Sequence, residues 1–316
     1  MAMAQPVTRG PLTRELARPE SPVRLFLDSH LGGDLRDLQR RYRATVPSLA
    51  VPAVTRGDAN PGTLGAAADW LLRFLLHPSP PLRHAEAGAR IARTGMATSL
   101  SDLAAGLGVI GTQPRTFTGP VPGSTADPEH LARACWALAL LTEVYRGGPM
   151  VAATGPLGQL RAPTADALLT LAPPTALTQL ARFRKVFENV LMPKLASRRG
   201  PWALGPEFTG SQLIPADADV IAGGLLLDIK ATAKQPSLAA VDLRQIICYS
   251  LLDFDDEFTI TTVGMFSARY GYLATWDLGP LLVDLGATSN LAQMRSGFRQ
   301  VLVASRPTVV SPPRRR

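Results

Sequence analysis

The stretch Leu213-Ile-Pro-Ala-Asp217-Ala-Asp219-Val-Ile-Ala-Gly223-Gly224-Leu-Leu-Leu-Asp228-Ile-Lys230-Ala-Thr232 decides how the rest of the chain is read. Gly-Gly between two apolar runs predicts a two-residue hairpin, because both central positions of the favoured turn need positive φ. Register follows by counting. Ala222 falls opposite Leu225, Ile221 opposite Leu226, Val220 opposite Leu227, Asp219 opposite Asp228, and Asp217 opposite Lys230. Directly paired residues share a face, as do i and i+2 along a strand, so Asp217, Asp219, Asp228 and Lys230 are expected on one face. Facing carboxylates in an apolar strand pair repel and lose solvent, which raises their pKa values or destabilises the fold. A divalent cation removes that conflict. Mg²⁺ takes one or two carboxylates together with waters and substrate phosphate, which Asp219 and Asp228 would supply. Lys230 would reach the same place, to orient a water or to stabilise charge on a phosphate. An isolated Asp-x-Lys is most often a surface ion pair, so the flanking elements have to carry the distinction.

Working outward, the period of the apolar residues is 2 on the C-terminal side of residue 200 and 3.6 before it. Strands are expected at Trp202 to Phe208, Leu213 to Ala222 and Leu225 to Ala231, a helix at Leu238 to Leu252, strands at Phe258 to Ala268 and Tyr272 to Trp276, and a last helix at Leu278 to Val303. Within the helix Leu238 to Leu252, Asp242 and Arg244 stand near the start of an otherwise apolar run. Gln245 and Tyr249, four apart, share a face. Upstream, helices are expected at Thr63 to Leu76, Leu82 to Thr94, Ser99 to Leu107 with Ser99 and Asp102 as a capping box, Glu129 to Tyr145 behind Asp127-Pro128, and Thr175 to Leu195. The segment to about Asn60 reads as loosely structured with one short helix, Leu35 to Arg43, and Gly111 to Gly123 reads as a loop.

Asp219, Asp228-x-Lys230 and Gln245-x-x-x-Tyr249, in the order strand, strand, helix, closely resemble the PD-(D/E)XK nuclease superfamily, and within it the RecB-type branch with its Q-x-x-x-Y helix. The resemblance spans about a third of the chain. It implies an α/β fold with a restriction-endonuclease-like core, a small mixed sheet flanked by helices, over residues 175–305. A mostly helical, Arg-rich N-terminal part (1–174) would precede the core, and a basic tail (306–316) would follow it. It implies Mg²⁺ or Mn²⁺ held by Asp219, Asp228 and the carbonyl of Ile229, with Lys230 as the catalytic lysine and Gln245 and Tyr249 beside it. The family's first acidic residue stands on the helix before the first strand; Glu188 is the candidate, with Glu143 and Glu207 as fallbacks. Asp228 replaces the usual Glu, shortening the reach by one methylene. Asp217 stays open between an acceptor for Lys230 and a loop-edge residue. The implied activity is metal-dependent hydrolysis of DNA phosphodiester bonds, the alternative being a catalytically inactive nuclease-fold module that binds DNA or protein. A helicase or other protein partner is left open.

Charge supports a division of labour. The chain carries 33 Lys plus Arg against 25 Asp plus Glu over 316 residues, a net +8. Residues 1–200 hold 23 basic and 14 acidic side chains, 201–305 hold 6 and 11, and the tail adds four arginines. The basic stretches suit phosphate contacts and the acidic one a metal. Only Lys185, Lys194, Lys230 and Lys234 are lysines, so one placed at the motif is informative. Arg73, Arg83, Arg90 and Arg93 read either as phosphate contacts or as solvated helix faces. Arg269, in the turn between the last two strands, reads either as an exposed arginine beside core aromatics or, with those aromatics, as a surface that stacks on a single strand of nucleic acid. The four histidines show no metal-ligand spacing. Cys135 and Cys248 read as core residues of a reduced, cytoplasmic protein. No apolar run approaches the ~18 residues of a membrane span, so no membrane association is expected.

Overall fold

The Gly223-Gly224 turn forms as counted. A computed structural model describes residues 11–46, 53–110 and 115–305. Gly223 and Gly224 take φ +51° and +77°, and a Cβ on Gly223 would collide with the Arg199 carbonyl. Strand β3 (Val220–Ala222) pairs antiparallel with β4 (Leu225–Lys230) in the register Val220–Leu227, Ile221–Leu226, Ala222–Leu225. These strands belong to a six-stranded mixed sheet ordered as in the sequence: β1 (Phe117–Thr118), β2 (Pro201–Leu204), β3, β4, β5 (Thr262–Ser267) and β6 (Tyr272–Asp277). Every pairing is antiparallel except β4 with β5.

Helices cover both faces, which is why β3 and β4 are apolar at successive positions rather than at alternate ones. One face carries Trp202, Val220, Leu225, Leu227 and Phe266, buried under α4 (Pro61–Leu76), α5 (Arg83–Ala92), α6 (Met96–Gly106), α7 (Pro128–Gly147) and α10 (Pro174–Val186). The α10 helix runs through a π-helical turn, Phe187–Leu191, into α11 (Met192–Leu195). The other face carries Ala203, Ile221, Leu226, Val263 and Met265 against α12 (Ala240–Leu252), α13 (Leu278–Asp284) and α14 (Leu291–Ala304). Helices α1 (Leu12–Ala17), α2 (Pro22–His30) and α3 (Leu35–Thr45) join that second layer. Segments on either side of residue 174 therefore share both cores. Cys135 and Cys248 are buried, one in each core.

Several boundaries differ from expectation. The opening segment forms three helices, because Ser21 and Asp34 cap α2 and α3, and Leu12, Leu16, Val23, Leu27 and Leu38 give them buried faces. Ser99 does not cap a helix: α6 starts at Met96, and the Ser99 hydroxyl donates to the carbonyls of Gly95 and Pro163. The Gly111 to Gly123 loop contributes β1 at the sheet edge. The Pro-rich stretch before α10 holds two short helices, α8 (Pro149–Thr154) and α9 (Ala165–Leu169). The expected last helix is two, parted at Gly286 (φ +90°) and restarted by an Asn290/Gln293 capping box.

Helices α5 and α7 approach so closely that a Cβ on Gly88 would land on the Leu141 carbonyl. Gly88→Ala is expected to lower the thermal midpoint. Overpacking costs about 1–3 kcal/mol, more than the up to ~1 kcal/mol that Ala gains over Gly within a helix. A raised midpoint in calorimetry would contradict this packing.

Candidate functional site

The ladder between β3 and β4 stops at Val220–Leu227, and side chains take over where backbone pairing ends. Asp219 gives its backbone carbonyl to the N–H of Gly205, at the end of β2, and its Oδ2 accepts the N–H of Ile229 at 2.6 Å. Asp219 thus stands beside β4 at the expected level, tied to the strand by its carboxylate. Asp217 departs from the count. It bridges Glu207 through the backbone, and its Oδ2 lies 3.4 Å from Arg146 Nη2 and 3.8 Å from His84 Nδ1. The chain before Asp219 has turned towards β2, so Asp217 does not accept from Lys230.

Asp228, Met265 and Ala274 form one row across the sheet, and Lys230, Ser267 and Tyr272 the next, on the face covered by α12. Lys230 Nζ lies 2.9 Å from Asp228 Oδ2 and 2.9 Å from Asp242 Oδ1, with Gln245 Oε1 at 3.5 Å. Gln245 Nε2 donates to the Tyr249 hydroxyl at 2.6 Å, and the Tyr249 ring stacks near Phe208. Asp242, Gln245 and Tyr249 are spaced three and four apart, so α12 presents them in one line to the end of β4.

Burial and neighbouring charge shift these groups. Desolvation raises the pKa of Asp219, and the charges of Asp69 and then Asp228 push it further, while the Ile229 N–H and Arg73 only partly offset them. Asp228 is 5% exposed, and desolvation raises its pKa against the opposing pull of Lys230. Its Oδ2, although within ion-pair distance of Lys230, meets no donor in hydrogen-bond geometry. Burial works against charge on Lys230, yet Asp228 and Asp242 outweigh it and its pKa is raised. The Tyr249 phenol is pushed up by burial and by Asp228, so it stays protonated.

The remaining candidates lie elsewhere. Glu188 sits on the π-helical turn in an i,i+4 ion pair with Arg184 at 2.8 Å and lines no part of the cavity described below. Glu143 accepts from the Thr63 hydroxyl at 2.6 Å. Glu207 faces His84 at 3.3 Å and Arg83 at 3.5 Å, and the His84 hydrogen bond is the main cause of its lowered pKa. The acid whose charge bears on Asp219 is Asp69 on α4, which lines the same cavity and is held by Arg73 in a two-pronged pair at 3.1 and 2.6 Å. Arg73, 3% exposed, is a buried partner rather than a surface phosphate contact. Arg269 is likewise 4% exposed. Its guanidinium donates to the carbonyls of Ala231, Val54 and Thr55 and to Gln179 Oε1, over the ring of Phe183.

Two site residues were thus missed in the sequence. Asp242 had a signal, standing three residues before Gln245 on an apolar helix. Asp69 had a weaker one, an Asp-x-x-x-Arg pair inside another apolar helix, which only tertiary packing turns towards Asp219.

A cavity of about 590 Å³ opens beside the site, with Asp69, Asp219 and Ile229 among its lining residues. Among the described residues no group of three or more His, Cys, Asp or Glu side chains stands close enough to hold a metal by itself. The donor set nevertheless suits a small hard cation. Asp219 and Asp228 are two hard-oxygen carboxylates, one with a buried oxygen lacking a donor, and Mg²⁺ characteristically takes no more than this from a protein. No protein-family model, curated protein or solved structure matches the chain. Among the described residues no helix is long and apolar enough to cross a membrane.

Proposed function

We propose that the chain is a Mg²⁺- or Mn²⁺-dependent nuclease that hydrolyses DNA phosphodiester bonds, built on a restriction-endonuclease-like core of the RecB type. The observation that carries this reading is the meeting of Asp219, Asp228 and Lys230 at the end of the β3–β4 hairpin, with Gln245 and Tyr249 behind them. Asp219 and Asp228 would hold the ion, beside the Ile229 carbonyl. Once bound, the ion supplies Lewis-acid polarisation of the phosphate and a water of lowered pKa. Asp69 takes the place expected of Glu188, as the acid on a helix preceding the sheet residues of the site.

Lys230 acts in this scheme as an ammonium. Two carboxylates at 2.9 Å keep its proton on, so it donates to the attacking water or to a phosphate oxygen and stabilises charge there rather than removing a proton. Gln245 is fixed by Tyr249 so that its oxygen faces Nζ, with the amide orientation assigned from those hydrogen bonds. The attacking water gives up a proton to solvent as its oxygen bonds to phosphorus, the bond to the leaving sugar oxygen breaks, and that oxygen takes a proton from solvent. Incubating purified protein with DNA, with and without Mg²⁺ or Mn²⁺, tests the reading. Absence of metal-dependent cleavage overturns it.

One observation favours a second reading, a nuclease-fold module that binds DNA without cutting it. Lys230 already neutralises Asp228 without an ion. Isothermal calorimetry separates the two, since such a module binds no Mn²⁺ at this site. Asp242→Asn is informative under the first reading. It removes one of the two charges that hold Nζ, and the single-turnover cleavage rate is expected to fall by about 10–100-fold, as for other partners that orient an active group. An unchanged rate would assign Asp242 to packing alone.

A further inference from the structure

The cavity lined by Asp69 and Asp219 is also lined by basic residues. Arg56, Lys234 and Arg269 are among them, with Arg146, which pairs with Asp217. Among the described residues, Arg56 and Lys234 are exposed and pair with no carboxylate, and Arg269 donates only to neutral oxygens, so three positive charges there lack a counter-ion. The positive end of the α4 dipole adds to them, since Pro61 and Gly62 of its first turn line the same cavity. Three positive charges without a counter-ion thus share one cavity with Asp219 and with Asp69, the latter already paired with Arg73. A polyanion with one phosphate beside Asp219, its charge met there by a metal, would have its next phosphates near Arg56 and Lys234.

Gly65 gives the cavity a stretch of lining without a side chain. Gly65 lies in mid-helix on α4, and a Cβ there would meet nothing closer than the Ala231 Cβ at 3.8 Å. About 590 Å³ is the size of a site for a small organic ligand, enough for a nucleotide or two of one strand, whereas a duplex could only lie across the opening.

We infer that this cavity is a strand-binding subsite, which takes the sugar-phosphate chain of single-stranded DNA next to the scissile phosphate, with Arg56 and Lys234 as its phosphate contacts and Gly65 as its floor. The inference rests on the nuclease reading for its direction but not for its test. A positively charged groove that follows one backbone is the general device for holding single strands without regard to sequence.

The experiment is fluorescence anisotropy of a labelled dodecathymidylate with the full-length protein in EDTA, so that no cleavage enters. Wild type is expected to bind with an affinity that falls steeply with salt, and to prefer this strand to a blunt hairpin duplex. The double variant Arg56→Ala/Lys234→Ala is expected to bind about tenfold more weakly, with a log–log salt slope smaller by about 1.4, since each single-strand phosphate contact contributes ~0.7. Gly65→Leu improves helix propensity and fills the floor, and is expected to lose binding while the protein stays folded by circular dichroism. Equal binding by wild type and both variants, or stronger binding of the duplex, overturns the subsite. Cleavage with Mn²⁺ by all three proteins alongside that result leaves the nuclease reading standing. Loss of binding in the variants without cleavage by wild type sinks the nuclease reading and keeps the subsite.

Discussion

Lys230→Ala is expected to lower the rate of metal-dependent DNA cleavage by about 10³-fold. Removing one preorganised donor from a charge-developing site costs on the order of 10²–10³ in rate, and Lys230 is the cation that stands between both carboxylates at the end of β4 and α12. The alanine variant also strands Asp228 and Asp242, one of them 5% exposed, so its thermal midpoint is expected to drop. Lys230→Arg separates chemistry from folding. Arginine keeps the positive charge and the ion pairs, so the midpoint stays near that of wild type, while its planar, bulkier fork cannot place a single donor where Nζ stands. The rate is then expected to remain at least 10²-fold down under single-turnover conditions, without a matching rise in KM. Full activity in Lys230→Arg would show that only charge is needed at this position, and full activity in Lys230→Ala would remove Lys230 from the mechanism.

Legibility in the sequence followed the range of the interactions involved. The hairpin register came from counting outward from Gly223-Gly224, because turn chemistry is local, and the three pairs that form are the ones counted. The count failed at Asp217, where a non-local contact with Glu207 draws the chain towards β2. The line Asp242, Gln245, Tyr249 was readable as helical spacing, but only the packing of α12 against the end of β4 shows Asp242 to be a partner of Lys230. Glu188 was placed by position in the chain, and the helix that carries it turns that residue to Arg184 instead. Asp69 could not be found this way, since its role depends on α4 crossing the sheet more than a hundred residues upstream of Asp219. Arg73 and Arg269 carried charges that suggested surface positions. Each is buried because it satisfies acceptors far away in sequence or on its own helix.

Asp219→Asn is expected to abolish cleavage, by about 10³-fold, and at the same time to stabilise the metal-free protein. Desolvation, Asp69 and Asp228 hold the Asp219 pKa well above its value in an unfolded chain. Between those two pKa values the folded protein binds more protons than the unfolded one. The usual carboxylate behaviour is therefore reversed: stability is fully present below the unfolded pKa and is lost as pH rises through the raised folded pKa. Asparagine never ionises, and its side-chain oxygen can still accept the Ile229 N–H, so the variant escapes that loss. At pH 7–8 without metal the variant is expected to melt a few degrees above wild type, each kcal/mol relieved counting for about 2–4 °C. Near pH 4 the two curves should converge, because Asp219 is then protonated. Adding Mn²⁺ should reverse the order. An ion that binds only the folded state contributes RT ln(1 + [L]/Kd), about 2.7 kcal/mol at 100 times Kd, and only wild type retains both carboxylates to receive it. If Mn²⁺ raises both midpoints equally, the ion binds elsewhere; if the metal-free midpoints have the same pH dependence, Asp219 is not the strained acid of this site.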